Sequence, residues 1–136
     1  MAGFSTYYAN KVIEHMFRGQ AFTPPATVYV ALFSADTGLE ANAPTGELVG
    51  NGYSRKAVTL AEAASAATSN SVEILTDTAT GDWLEAAYFA IVDHETNTNW
   101  GTNVNVMGWN QLTTAKTAES GDVLRFLVGE LDITIA

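Results

Sequence analysis

The chain has 136 residues, 47% of them apolar, yet only 15% are charged, against about 25% in a typical soluble domain. Six Lys and Arg face fifteen Asp and Glu, and the resulting net charge of −9 repels a phosphate backbone or an anionic lipid surface, so neither nucleic acid nor membrane is expected as a partner. There is no Cys to form a disulfide, a reactive thiolate or a zinc ribbon, and no run approaches the ~20 apolar residues of a membrane span.

This length suits a single domain over residues 1–136 that buries roughly 70% of its unfolded surface. The sparse charge leaves Thr, Ser, Asn and Gly to supply the polar surface. It also gives little protection against association, so part of that surface is expected to lie against another chain. The opening Met1-Ala2-Gly3-Phe4-Ser5 lacks a basic region and a long apolar run, which predicts no signal peptide.

Residues 5–18 read as the one helix. Ser5 is the N-cap. Tyr8, Val12 and Met16, with Ile13 and Phe17 one step round, form an apolar stripe of the width that lies on a sheet. Glu14 and Arg18 pair at i, i+4, and Gly19 ends the helix. Pro24 and Pro25 keep it from running on. Thr27 to Phe33 (Thr-Val-Tyr-Val-Ala-Leu-Phe) then holds no charge and no Gly, and both of its faces are apolar. It reads as the central strand, covered on one side by the preceding helix and on the other by later strands.

Asp36 to Gly52, with Pro44 and four glycines, is a long loop of the kind that contacts partners. Tyr53 to Leu60 alternates as a half-exposed strand, with Arg55 and Lys56 as halves of ion pairs rather than a basic patch. Ala61 to Asn70 reads as loop and Ser71 to Thr76 as a short strand. Asp77 to Asp82 is a turn, and Trp83 to Val92 an apolar strand broken only by Glu85. Asn97-Thr98-Asn99 is a hairpin tip from which Trp100 to Trp109 runs back. Gln111 to Thr117 is a further edge strand. After a turn at Glu119-Ser120-Gly121-Asp122, Val123 to Val128 and Leu131 to Ile135 are the last strands. One N-terminal helix followed by seven or eight short strands, with turn signals about every 8–12 residues, predicts a mainly β chain. The expected form is a β-sandwich or jelly roll over residues 27–136.

The chemistry-bearing residues are few. Asp93-His94-Glu95 has metal-ligand types, but neighbours along a strand point to opposite faces and cannot converge. Asp36-Thr37-Gly38 and Asp77 to Asp82 lack the spacing of a calcium loop. Glu85 alone has the apolar setting of a catalytic carboxyl, with no partner beside it. No nucleophile elbow, phosphate loop or dinucleotide fingerprint occurs. No enzyme, cofactor or metal is therefore expected. Trp83, Trp100, Trp109, Tyr53 and Tyr88 could stack on sugars, though aromatic residues on strands more often serve a core or an interface.

Three strings resemble a family of small virion proteins of tailed bacteriophages. They are Gly3-Phe4-Ser5-Thr6-Tyr7-Tyr8-Ala9-Asn10-Lys11-Val12-Ile13, then Phe17 to Thr23, and Ala26 to Phe33. Gly52-Tyr53-Ser54-Arg55, Thr80-Gly81-Asp82-Trp83, Ala90-Ile91-Val92-Asp93 and the ending from Lys116 to Thr134 extend the likeness over nearly the whole chain. Members are labelled tail-fibre proteins or look like capsid decoration proteins, and the family carries no catalytic residues. The resemblance implies a decoration, or cement, protein on the outer surface of the phage head, made in the bacterial cytoplasm. It would bind the major capsid protein and copies of itself, as a homotrimer. Phe4, Tyr7 and Tyr8 are the expected anchor, with Trp100 and Trp109 as further interface residues. The alternative is a tail-fibre or receptor-binding module in which Trp100 and Trp109 line an exposed groove for a cell-surface glycan.

Overall fold

In the computed structural model, which describes residues 3–135, the strand beginning near residue 27 is the organising element. It is β2 (Val28–Phe33), and it pairs antiparallel with β6 (Ala86–Val92) along five residues. Val30 and Leu32 face one way with Phe89 and Ile91, while Ala31 and Phe33 face the other way with Ala90 and Val92. All eight are buried. Two-sided burial is what an uninterrupted apolar run requires.

Around this pair a five-stranded antiparallel sheet forms in the order β1-β7-β6-β2-β3, with β1 at Gly3–Phe4, β3 at Lys56–Val58 and β7 at Val106–Lys116. Two short ribbons make a second layer. One pairs β4 (Ala67–Ser69) with β9 (Asp132–Thr134), and the other pairs β5 (Ile74–Leu75) with β8 (Arg125–Phe126). Ile74, Phe126, Leu131 and Ile133 from these ribbons and their ends close over Val30, Leu32, Phe89 and Ile91, with Trp83 and Leu112. The chain is thus mainly β, with antiparallel sheets and one helix near its start, as its sequence predicts.

The helix α1 spans Thr6–Arg18. The Ser5 hydroxyl accepts from Tyr8 N–H at 3.2 Å, and Gly19 closes the other end at φ 67°. Ser5 is itself fully buried: its N–H donates to Met107 O at 3.1 Å and its hydroxyl to Val106 O. The helix therefore starts where the chain is riveted to β7. It does not cover β2. None of its residues is buried, and Ile13, Met16 and Phe17 are 49%, 67% and 82% exposed. The expected helix-on-sheet packing is corrected here. The ribbons already occupy one face of β2, and Leu39, Val104, Val106 and Trp109 cover the other. Leu39 comes from the long loop, which folds tightly enough that a Cβ on Gly38 would meet Ala43 O at 2.0 Å.

Other boundaries also differ. Gly3–Phe4 adds a strand to β7, with Gly3 opposite Trp109. The two strands expected at 100–109 and 111–117 are one, β7, interrupted by register shifts against β6. Residues 100–104 are a turn. The segment expected to be loop at 61–70 is a hairpin turning at Ser65 and Ala66, both at positive φ (53° and 60°), and it leads into β4. The strand expected from Tyr53 is regular only over Lys56–Val58.

Asn70 fastens the ribbon layer together. It is fully buried. Its amide donates to Val72 O at 2.9 Å and Leu127 O at 3.0 Å, and its Oδ1 accepts from Leu131 N–H at 2.9 Å. Asn70→Ala orphans these groups and is expected to lower stability by about 2–3 kcal/mol. Urea denaturation reads this as a lower midpoint at unchanged slope. A loss below about 1 kcal/mol would show that water replaces the amide.

Candidate functional site

Two surface features stand out. The first is a bowl of about 350 Å³ bordered by Thr45, Glu47, Tyr53, Glu95, Thr98 and Trp100. Arg55 forms its floor, with a side chain only 3% exposed. Its Nε and Nη2 donate to the two Glu47 carboxylate oxygens at 2.7 and 2.8 Å. Its Nη1 donates to His94 O and Asn97 O, both at 2.9 Å. The guanidinium carbon also lies 5.0 Å from the Trp100 ring centroid. One planar fork thus ties the long loop to the turn at 94–100. A pair this buried contributes mostly geometry, since desolvation offsets much of its attraction.

Tyr53 completes the network. Its hydroxyl donates to Glu47 Oε1 and accepts from Leu32 N–H, each at 3.0 Å. Burial pushes its pKa far above the ordinary 10.0, and the Glu47 carboxylate pushes it further, against smaller opposing pulls from Leu32 N–H and Arg55. His94, in the triplet read as metal-ligand types, accepts on Nδ1 from Thr96 and Asn97 N–H at 3.1 and 3.0 Å and so shapes the turn. Among the described residues no three His, Asp or Glu side chains come together to hold a metal ion. Asp77, in the other acidic stretch, is bound by Lys56 Nζ and the Ser54 hydroxyl, each at 2.5 Å. These hydrogen bonds hold its carboxyl below the usual range.

The second feature is an apolar groove, also about 350 Å³, at the root of α1. Phe4 and Tyr8 form one wall, Leu60, Ala63 and Ala67 another, and Ile133 and Ile135 a third, over Ile91 and Met107. Its floor depends on Gly108, where a Cβ would lie 3.0 Å from Ile133 Cδ1 and 3.3 Å from Gly3 O. Alanines in the hairpin leave the space open. Edge-to-face contacts fix the aromatic wall: Phe4 to Tyr8 at 5.3 Å and Tyr8 to Phe22 at 5.5 Å. Burial, with the nearby Asp93 carboxylate, raises the Tyr8 pKa. Beyond this wall α1 stands away from the body and carries Ile13, Met16 and Phe17 into solvent. Covering such a side chain fully is worth about 1.5–3 kcal/mol, so the trio leaves a sizeable apolar area in water.

The five residues expected at an interface fall in different places. Phe4 and Tyr8 meet in the groove wall, and Tyr7, half-buried on the helix, lies under Lys11 Nζ at 5.5 Å. Trp100 borders the bowl, with its ring against Arg55 and Phe33. Trp109 is 4% exposed, packs on Tyr88 and donates from Nε1 to Glu40 Oε2 at 3.1 Å, so it lines no exposed groove with Trp100. The sequence reading did not pick out Glu47, nor the small-residue hairpin that opens the groove. The run Ala61 to Ala67, almost devoid of bulky side chains, was the available signal for the hairpin.

A family model described as Podophage GP4 fiber I protein gp80 matches residues 3–134, nearly the whole chain. No curated protein matches it.

The Tyr53 environment fixes an alkaline limit. Its folded pKa lies above its unfolded value, so the stability it gives is complete below about pH 10. That stability is lost as pH rises further, because the unfolded chain can release the proton and the folded chain cannot. Denaturation midpoints are expected to fall above pH 10 with a contribution of about 1.4 kcal/mol per pH unit. Tyr53→Phe should flatten this slope while lowering stability at neutral pH. An unchanged slope would show that Tyr53 ionises freely in the fold.

Proposed function

The chain belongs to the Podophage GP4 fiber I protein gp80 family, and we propose that it is a non-catalytic structural subunit of a phage virion appendage, built to pack against copies of itself and a neighbouring virion protein. The observation that carries this reading is the family match over residues 3–134. The exposed apolar side of α1 beside an apolar groove supports it, because a chain so poor in charge gains from covering both. The polar clusters point the same way. Arg55, Glu47 and Tyr53 satisfy one another, and Asn42, Asn105 and Asp93 do likewise, with Asn42 Nδ2 donating to Asn105 Oδ1 and Asn105 Nδ2 to Asp93 Oδ2, each at 2.9 Å. Groups occupied in this way hold loops in place.

The decoration protein expected from the sequence, seated on the major capsid protein, is also a virion structural protein and differs in location. The acidic balance suits the outside of a particle in either place. The family's description as a fibre protein favours the appendage. Gold-labelled antibody against this chain, imaged on intact virions, is expected to mark the tail region. Grains spread over the head would overturn the appendage reading in favour of decoration.

A second reading rests on the bowl. Trp100 borders the bowl with its ring, Thr45, Thr96 and Thr98 offer hydroxyls, and Glu95 offers a carboxylate, a mixture suited to a neutral sugar of the host surface. Titration with host surface polysaccharide, followed by the tryptophan fluorescence of the three Trp residues, is expected to show saturable binding that falls about tenfold or more in Trp100→Ala. Absence of saturation in the unaltered chain would remove this reading.

A further inference from the structure

We propose that the apolar groove of one copy receives the projecting half of α1 from a second copy, in a head-to-tail contact. This rests on the reading of the chain as a self-assembling structural subunit and names the surfaces that would meet. The two halves of the contact lie on separate parts of the surface. Ile13, Met16 and Phe17 form a ridge on the last two turns of α1, where Val12 and Glu14 are half-buried and the other residues exposed. The groove is lined almost wholly by apolar groups, with the hydroxyls of Thr68 and Tyr8 as the polar exceptions. The ridge cannot fill the groove of its own chain, because Tyr8, on the first turn of the same rigid helix, already forms the groove wall. Another molecule must supply the occupant.

Charge complementarity argues for a second copy. Residues Thr6–Arg18 carry Lys11 and Arg18 against Glu14, a net of +1. The remainder of the chain holds four basic and fourteen acidic residues, a net of −10. The helix is therefore a cationic arm on an anionic body. Glu62 adjoins the groove residue Ala63, and Asp93 lies near enough to Tyr8 to raise its pKa, so acidic groups flank the seat. A whole body approaching another body is repelled, whereas the arm approaching the body is attracted, which selects helix-into-groove over groove-against-groove or helix-against-helix. The helical ridge entering an apolar groove follows a common recognition mode, with anchors at i, i+3 and i+4 that match positions 13, 16 and 17. Because ridge and groove are different surfaces, each copy keeps one of each free after the first contact. The contact then closes into a ring or continues as a run, according to its rotation.

The test uses two surface variants of the full chain. Phe17→Glu spoils the ridge, and Ala63→Trp fills the groove; both positions are exposed, so each variant should fold and melt like the unaltered chain. In sedimentation velocity the unaltered chain is expected to be oligomeric at micromolar concentration. Each variant alone should associate about 30-fold more weakly or worse. Mixed in equal amounts, they should form a heterodimer and stop there, because the mixture contains one intact ridge and one intact groove. Phe17→Leu should retain assembly. A monomeric unaltered chain, variants that assemble as it does, or a mixture that stays monomeric would each overturn the contact. None of these results would alter where antibody labels the virion, so the structural-subunit reading is judged separately.

Discussion

The pairing of two strands with no polar face, β2 and β6, sets the terms for everything around it. Neither Val30 and Leu32 nor Ala31 and Phe33 can be left in water, so the pair needs a cover above and a cover below. The ribbons supply one. The other is made largely of connecting segments, the long loop and the turn after β6, with Val106 and Trp109 of β7 beside them. Irregular chain laid over a core must find partners for its own N–H and C=O groups. That requirement accounts for the polar clusters in this charge-poor molecule. Val106 N–H donates to Asn42 Oδ1 at 2.7 Å, Asn105 N–H to Asp93 Oδ1 at 2.6 Å, and Arg55 takes two carbonyls at once. With both covers in place, α1 has no sheet to lie on.

This division explains what could be read from residues alone. The helix limits were legible because capping chemistry is local: Ser5 and Gly19 mark them directly. The two-faced strand was legible because seven residues without charge or Gly leave few other choices. The destination of the helix was not legible. Its stripe has the spacing of a packed face, and spacing says that a face will be covered without saying by which molecule. The 61–70 hairpin escaped notice because its turn uses Ser65 and Ala66 at positive φ, where Asn and Gly are the usual markers. β7 looked like two strands because its register shifts break the alternation.

For the two surfaces the outcome was mixed. Phe4 and Tyr8 could be singled out as aromatic residues near the start, and they do stand together. The surrounding wall comes from segments some sixty and a hundred and thirty residues along the chain, a juxtaposition that only the sheet order creates. Arg55 was visible, beside Lys56, as half of an ion pair in a strand-like run. Its partner Glu47 lies across a turn, and nothing in the spacing of the two indicates that one is folded over the other. The tryptophans show how little residue type decides: Trp83 and Trp109 are buried, each donating its indole N–H to a loop residue, while Trp100 borders an open bowl.

The margins of the large sheet are narrow. Its outermost strands, β1 and β3, are two and three residues long, and the stretch of β7 that outruns β1 is kinked where its register slips against β6. A foreign strand laid alongside would find few consecutive amides to bond, which is how β proteins held at high local concentration avoid templating fibrils. In this chain the exposed apolar groups are side chains such as Ile13, Met16 and Phe17, whose extent is bounded, while backbone open to pairing, whose capacity to propagate is not, is scarce along the described edges.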